Sequence, residues 1–403
     1  VSTSSGPSPA ALADPAGPEP APVTCRWCAS TTGTVVLDLG EQPAADHFPA
    51  ADDPGPDPVH PLRMWLCAQC GLANLAEDPT TPEEPRGAEP QAMVDQARDA
   101  VARVQAAGLL TGPDGAPRRT VTEFGSPHGG SWLDLLDAVG LTPAAVTDPP
   151  TPADLVVDCF GLMHAADQAA GLAERAAATA PGGTLLLQFH SLAAIVADGG
   201  WNALRHGHFA YYSTPVLVRM LAAIGFEATH AFWFDLYGGT VLLAARRSGV
   251  DGATDRPSVE GLVERELALG VLDPAVVGGL ESATAASADA LRAHLTEGAG
   301  AGRSVIGYAA ASRAVPLLNR ARIGPDLLPA VADGSPGKQG RRFPGVAVPI
   351  VAPDEVVRRR PDEVVLFVTD LLGEMRSRMP EVEAGGGRWV VVDPALRVAE
   401  PGI

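Results

Sequence analysis

Lysine is nearly absent from this chain: Lys338 stands alone against 28 arginines in 403 residues. A GC-rich coding preference accounts for the bias, and Arg in place of Lys is by itself a weak functional signal. Positive charge is scarce altogether, with 48 acids against 29 bases and a formal charge of −19. Such a surface repels a phosphate backbone, which argues against nucleic acid and anionic membranes as partners. An anionic small molecule would have to be held by a local arginine cluster or by backbone N–H groups. No run of 18 apolar residues occurs, so no membrane-spanning helix is expected. A basic stretch followed by an apolar one is missing at the start, so the expected location is the cytoplasm. Five cysteines are too few for a disulfide scaffold.

With 46% hydrophobic and 19% charged residues, the chain can bury several cores, and its length suggests two to three domains. Residues 1–22, rich in Pro, Ala and Ser, read as a disordered tail. Residues 23–75 carry short strands and two cysteine pairs, and 76–118 read as a linker with one amphipathic helix. Residues 119–248 alternate apolar runs with helical spacing, and a second such set fills 249–403 after two amphipathic helices. The alternation predicts an α/β protein built on mostly parallel sheets.

Cys25-x2-Cys28 and Cys67-x2-Cys70 lie 38 residues apart. Each pair can grip a metal from a tight turn, and four thiolates complete a tetrahedral zinc site with no open position. The expectation is structural zinc held by Cys25, Cys28, Cys67 and Cys70, a staple for a small domain. Cys159, inside an apolar run, reads as a core thiol.

A glycine-bearing turn follows the predicted strand 119–124: Glu123-Phe124-Gly125-Ser126-Pro127-His128-Gly129-Gly130. Glycines between a strand and a helix let a ligand approach the backbone. Asp148 is the nearest acid to the end of the next strand, where a ribose would be gripped.

These segments, with Cys25-Arg26-Trp27-Cys28, Cys67-Ala68-Gln69-Cys70, Pro181-Gly182-Gly183, Ile306-Gly307-Tyr308, Leu317-Leu318-Asn319 and Pro336-Gly337-Lys338-Gln339-Gly340, resemble the three-domain, zinc-containing C-methyltransferases of nucleotide-linked keto-deoxysugars. The likeness runs from about Cys25 to the C-terminus. It implies a zinc domain, a shortened class I methyltransferase domain and a Rossmann-like C-terminal domain that helps hold a sugar nucleotide. It further implies S-adenosylmethionine as methyl donor, met by Glu123, Gly125, Gly129 and Gly130, with His164 at a nearby strand end. Tyr211, Tyr212, Tyr308, Ser312, Arg313, Asn319, Lys338 and Arg342 are implied as substrate contacts.

Four departures all fall on the donor side. Pro127 and His128 replace the Asn-Asp of the glycine turn, and Thr142 stands where the ribose acid belongs. A strand and helix are missing between Ala145 and Ala153, and no Tyr- and Ser-rich segment follows the zinc domain. On the substrate side, the family's Tyr-His-Glu-His reads Arg205-His206-Gly207-His208. An imidazole ionises near neutral pH, which suits removal of a proton next to a ketone. His208 is the expected base, with Arg205 or His206 steadying the enolate and His190 a further catalytic candidate at a strand end. Three readings stay open: C-methylation of a nucleotide-linked keto-sugar, the same enolisation in an epimerase, isomerase or eliminating enzyme without a methyl donor, and a non-catalytic partner protein.

Overall fold

The computed structural model describes residues 22–80, 89–112, 115–125, 130–147, 150–252, 254–393 and 395–402. The expected tail therefore lies almost wholly outside the described residues, as do Gly129 of the glycine turn and Asp148.

The first sheet begins with β1 (Gly33–Pro43), β2 (Val59–Cys67) and β3 (Ala73–Leu75), an antiparallel meander. Inward residues Leu37, Leu39, Leu62, Met64 and Leu66 are buried, which is the period-2 pattern of a half-covered sheet. Helix α1 (Gln91–Ala106) follows, burying Ala97, Ala100, Val101 and Val104 at helical spacing.

The second unit contains β4 (Thr120–Phe124), α2 (Leu133–Ala138), β5 (Thr142–Ala144), β6 (Ala153–Cys159), α3 (Gln168–Ala178), β7 (Thr179–His190), α4 (Leu192–Asp198), β8 (Ala210–Tyr211), α5 (Thr214–Ala223), β9 (Phe226–Phe234) and β10 (Thr240–Arg247). Its six-stranded sheet has the order β5-β4-β6-β7-β10-β9. β4 to β7 run parallel and β10 runs antiparallel between β7 and β9. The order reverses at β4, so a ligand crevice is expected at the carboxyl ends of β4 and β6. β8 does not join this sheet. It pairs with β3 and becomes the fourth strand of the first one.

The remainder starts with α6 (Arg256–Leu269), α7 (Pro274–Val277) and α8 (Leu280–Gly300). The helix expected as one piece over 274–295 is broken at Gly278-Gly279, and its second part runs on to Gly300. Then come β11 (Val305–Tyr308), α9 (Ala314–Ala321), β12 (Val331–Ala332), β13 (Ile350–Val351), α10 (Asp354–Arg359), β14 (Glu363–Leu366), α11 (Leu372–Arg378), α12 (Glu381–Ala384), β15 (Arg388–Val391) and β16 (Arg397–Val398). This sheet is ordered β13-β12-β11-β14-β15-β16, which is 3-2-1-4-5-6 within the unit, the doubly wound nucleotide-binding order. All its pairs are parallel except β15–β16.

The first sheet is more than an appendage. Leu37, Leu62 and Met64 share one hydrophobic core with Leu317, Phe343 and Phe367 of the last unit and with Leu192 and Trp201 of the second. Phe48 meets the Phe343 ring edge-on at 5.5 Å, and Arg341 Nη1 donates to the Phe48 carbonyl at 2.6 Å. The first and last sheets, with α4 and the segment after it from the second unit, are thereby brought around one interior.

Candidate functional site

Cys25 and Cys28 approach Cys67 and Cys70 at the open end of the first hairpin. The Cys25–Cys70 and Cys28–Cys67 sulfurs are each 3.6 Å apart, and all four lie within 4.8 Å of one another. Ligands on a tetrahedral zinc at 2.3 Å stand roughly 3.8 Å apart, so these residues fit the ion without rearrangement. Among the described residues no fifth group joins them, and four thiolates leave a tetrahedral ion no open position for chemistry.

A cavity of about 270 Å³ opens between the second and third sheets. Arg205, His208, His190 and Tyr211 line it from one side, and Tyr308, Ser312, Arg313 and Lys338 from the other. The structure therefore gathers eight of the expected residues around one space. Strand ends deliver most of them: His190 closes β7, Tyr308 closes β11, and Ser312 and Arg313 lie in the turn that opens α9.

Arg205 is the hub. Its Nη1 donates to the Ser312 hydroxyl, its Nη2 donates to His208 Nδ1 at 3.4 Å, and its backbone N–H donates to the Tyr211 phenol oxygen at 3.0 Å. A guanidinium only donates. The lone pair of neutral His208 thus lies on Nδ1 and the proton on Nε2. His164 takes the opposite tautomer, because its Nδ1 faces the Gly207 carbonyl at 2.8 Å and must carry the proton. The two imidazoles meet edge to face with centroids 4.6 Å apart. His164 accordingly sits against His208 and not beside Glu123.

Burial, with Arg313 and Arg205 nearby, lowers the pKa of His190 to about 3, so the ring is neutral. Burial raises the Tyr211, Tyr237 and Tyr308 phenols, which stay protonated. Asp333 accepts the N–H groups of Ala310 and Ser335, each at 2.7 Å, and Lys338 Nζ donates to the Ala310 carbonyl at 3.0 Å. This brace shapes the turn after β11.

Four expected site residues lie elsewhere. His206 is buried and its Nε2 faces the Pro61 carbonyl at 3.2 Å. Two residues apart in an extended chain, His206 and His208 would share a side. Gly207, at φ 79, turns the backbone between them and sends them apart. The buried Tyr212 phenol donates to Gln168 inside the second core. Asn319 Nδ2 donates to the carbonyls of Val315 and Pro344, tying α9 to its own unit. Arg342 grips Asp57 through both nitrogens at 2.7 and 2.9 Å, clamping the first sheet's long loop.

Among the wall residues that escaped the sequence reading are Tyr237, Met93 and Arg378. Tyr237 takes a left-handed conformation at φ 55, in the turn before Gly238 and Gly239. An aromatic residue ahead of a Gly-Gly pair was the available signal.

A second, much smaller groove of about 20 Å³ lies at the carboxyl ends of β4 and β6. Glu123, Gly125 and Gly130 line it, and it shares Glu89, Met93 and Phe160 with the larger cavity. The carboxyl ends of parallel strands, where the strand order reverses, are where such a sheet takes a ligand. Glu123 accepts the Trp132 N–H at 2.7 Å and the Ser131 hydroxyl. Burial and the charge of Glu123 raise the Glu89 carboxyl. Two carboxylates on one groove suit a sulfonium or ammonium cation, so the residues fit S-adenosylmethionine in charge. The space, however, is that of one water molecule. A Cβ on Gly130 would lie 2.5 Å from Glu89 Oε1, so the Glu89 carboxylate fills the cradle over that glycine. Glu89 and Met93 must move aside before an adenosyl group can enter.

Residues 25–84 match the family model described as "Putative zinc binding domain", and residues 235–394 match "C-methyltransferase C-terminal domain". C-methyltransferase NovU of Streptomyces niveus is 23% identical over 418 residues, covering 93% of this chain and 96% of that protein. Among solved structures, magnesium protoporphyrin IX methyltransferase of Synechocystis aligns over 39% of this chain and 84% of its own, at 16% identity and a TM-score of 0.29. A toxoflavin-precursor N1-methyltransferase of Burkholderia thailandensis aligns over 44% and 95%, at 14% identity and a TM-score of 0.27. Two matched segments thus carry the zinc-binding domain and the C-methyltransferase C-terminal domain, and over almost its whole length the chain is similar to a C-methyltransferase.

Proposed function

We propose that the chain methylates a carbon next to the ketone of a nucleotide-linked keto-deoxysugar, with His208 as base and Arg205 as the cation on the enolate oxygen. The observation that carries this reading is the contact of Arg205 Nη2 with His208 Nδ1 at 3.4 Å. A ketone presents its oxygen and its acidic C–H two bonds apart, so a base and an oxyanion partner must be neighbours. A carbonyl oxygen arriving at Arg205 draws the guanidinium off Nδ1 and leaves that lone pair facing the C–H. The C–H electron pair then moves into the enolate, the proton goes to Nδ1, and the negative charge builds on oxygen beside Arg205. His190, held neutral, offers a ring N–H to the same oxygen without competing for the proton. When bound, S-adenosylmethionine supplies the electrophilic methyl group.

The substrate class is supported by charge. Arg205, Arg313, Lys338 and Arg378 line the cavity against Glu89, Asp333 and Glu374, so cations outnumber acids there in a chain whose formal charge is −19. A diphosphate needs such a cluster. The Rossmann-like strand order around Tyr308 suits a nucleotide at the same crevice.

Solvent deuterium uptake into a nucleotide-linked 4-keto-6-deoxysugar is the test. His208→Asn is expected to lower exchange by about 10²–10⁴-fold, the usual weight of a positioned base. Equal exchange in both proteins removes His208 from the mechanism, and no exchange in either favours a non-catalytic partner. One observation supports enolisation without methylation: the donor groove of about 20 Å³. Exchange that proceeds while calorimetry with S-adenosylmethionine at millimolar concentration gives no heat would establish that second reading.

A further inference from the structure

We propose that Arg26, the residue between the first two zinc thiolates, is a positioning residue that couples the metal knuckle to His208. The inference rests on reading His208 as the proton-transfer group. A closed four-cysteine site acts on chemistry only through what its ligating loop holds, and the Arg26 contacts show what that is.

Four polar groups of Arg26 are committed to the segments that flank the proposed catalytic residues. Its backbone N–H donates to Asn74 Oδ1 at 3.0 Å, and its carbonyl accepts the Gln168 N–H at 3.0 Å. Its Nε donates to the Leu75 carbonyl at 3.0 Å and its Nη1 to the Ala166 carbonyl at 3.2 Å. The guanidinium carbon lies 4.6 Å from the centroid of the Phe209 ring, next to His208 in the chain.

Those partners hold the histidine pair. Phe209 donates its N–H to the Met163 carbonyl at 2.7 Å, and its own carbonyl accepts the Leu75 N–H at 3.1 Å. β8 then pairs with β3, Ala73 opposite Tyr211 and Asn74 opposite Ala210. Met163 and Phe209 are the immediate neighbours of His164 and His208, whose rings meet at 4.6 Å. The knuckle turn thus touches both sides of the imidazole pair through one side chain, and the zinc domain's sheet is completed by the strand that follows the catalytic residue.

The test uses the full-length, zinc-loaded chain as wild type, Arg26→Met and Arg26→Lys. Zinc content and ¹⁵N imidazole spectra are recorded without substrate, with His164→Asn and His208→Asn assigning the signals. In the wild type, Nδ1 of His164 should read as protonated and Nδ1 of His208 as unprotonated. Arg26→Met is expected to keep about one zinc per chain while the nitrogens of both rings shift toward tautomer-averaged values. Arg26→Lys, which keeps the charge over Phe209 and loses the directed pair of N–H bonds, should fall between. Unchanged imidazole shifts in a zinc-replete Arg26→Met protein overturn the proposal. If that variant sheds its zinc or fails to fold, Phe209→Leu removes the ring contact and spares the knuckle, and unchanged shifts there overturn it equally. Since the spectra need no turnover, an active His208→Asn protein would end the mechanistic reading and leave the coupling to be decided by the shifts.

Discussion

The guanidinium of Arg313 stacks on the ring of Tyr237, 4.9 Å from its centroid, at the wall of the larger cavity. Asp393, gripped by Asn202 Nδ2 at 3.1 and 3.2 Å, stands 4.0 Å from the other side of Arg313. Tyr237 is fixed in turn: its N–H donates to Asp370 at 3.2 Å and its phenol donates to the Met93 sulfur at 3.0 Å. Arg313 is thereby aimed into the cavity before any anion arrives. A cation–π contact of this kind contributes about 0.5–2 kcal/mol. Tyr237→Leu should therefore raise KM for an anionic substrate by about 2–30-fold and change kcat less than 3-fold, as read from steady-state kinetics. Tyr237→Phe, which keeps the ring, should stay near wild type. A fall in kcat alone would place Tyr237 in the chemistry and remove it from substrate binding.

The zinc site makes a prediction about architecture. β3 (Ala73–Leu75) begins just beyond the Cys67–Cys70 turn and carries β8 on its free edge. Losing one ligand should free that edge. Cys67→Ser is expected to reduce zinc from about one per chain to a small fraction of that, with a lower Tm and lost near-ultraviolet dichroism. Metal analysis and a thermal melt check both, and full zinc retention would refute the four-cysteine assignment.

Periodicity made β4, β6, β7, α3 and the β9–β10 pair readable, because each has a long apolar run or helical spacing. β8 was invisible for the opposite reason. Two residues, Ala210 and Tyr211, have no period, and their partner Ala73 is far away in sequence. The metal ligands were legible since a tetrahedral thiolate site demands paired Cys-x2-Cys turns. The catalytic segment was half legible: histidine chemistry named both His206 and His208, but only the backbone turn at Gly207 decides which ring meets the cavity. Asn319 and Arg342 were substrate contacts only as the resemblance implied them, and their hydrogen bonds close within the protein. Tyr237 was missed because its role depends on Arg313, 76 residues further on.

Met93 separates the two spaces, lining both the cavity of about 270 Å³ and the groove of about 20 Å³. Truncating it should widen the groove without touching Glu123 or the glycine turn. Met93→Ala is expected to bind S-adenosylhomocysteine at least about 5-fold more tightly than wild type by calorimetry, since the wild-type protein must first displace that side chain. Equal or weaker affinity would mean that the donor enters by another route.

His190 sets an acid limit on stability. Burial, then Arg313 and Arg205, hold its folded pKa at about 3, against the ordinary imidazole value of 6.5. Below pH 6.5 the unfolded chain gains a proton at this ring that the folded protein refuses until about pH 3. Stability is therefore complete above this window and falls as the pH drops through it. The full linkage is about 1.4 kcal/mol per pH unit, and the ring's cavity-facing edge trims it to roughly 1. Urea midpoints of wild type and His190→Gln at pH 7, 6, 5 and 4 isolate the effect. His206 and His230, whose pKa values burial also lowers, contribute equally to both proteins and cancel. The wild type should lose about 2 kcal/mol more than the variant between pH 6 and 4. Parallel curves would mean that His190 titrates alike in the folded and unfolded chains, so that the fold does nothing to hold the ring neutral.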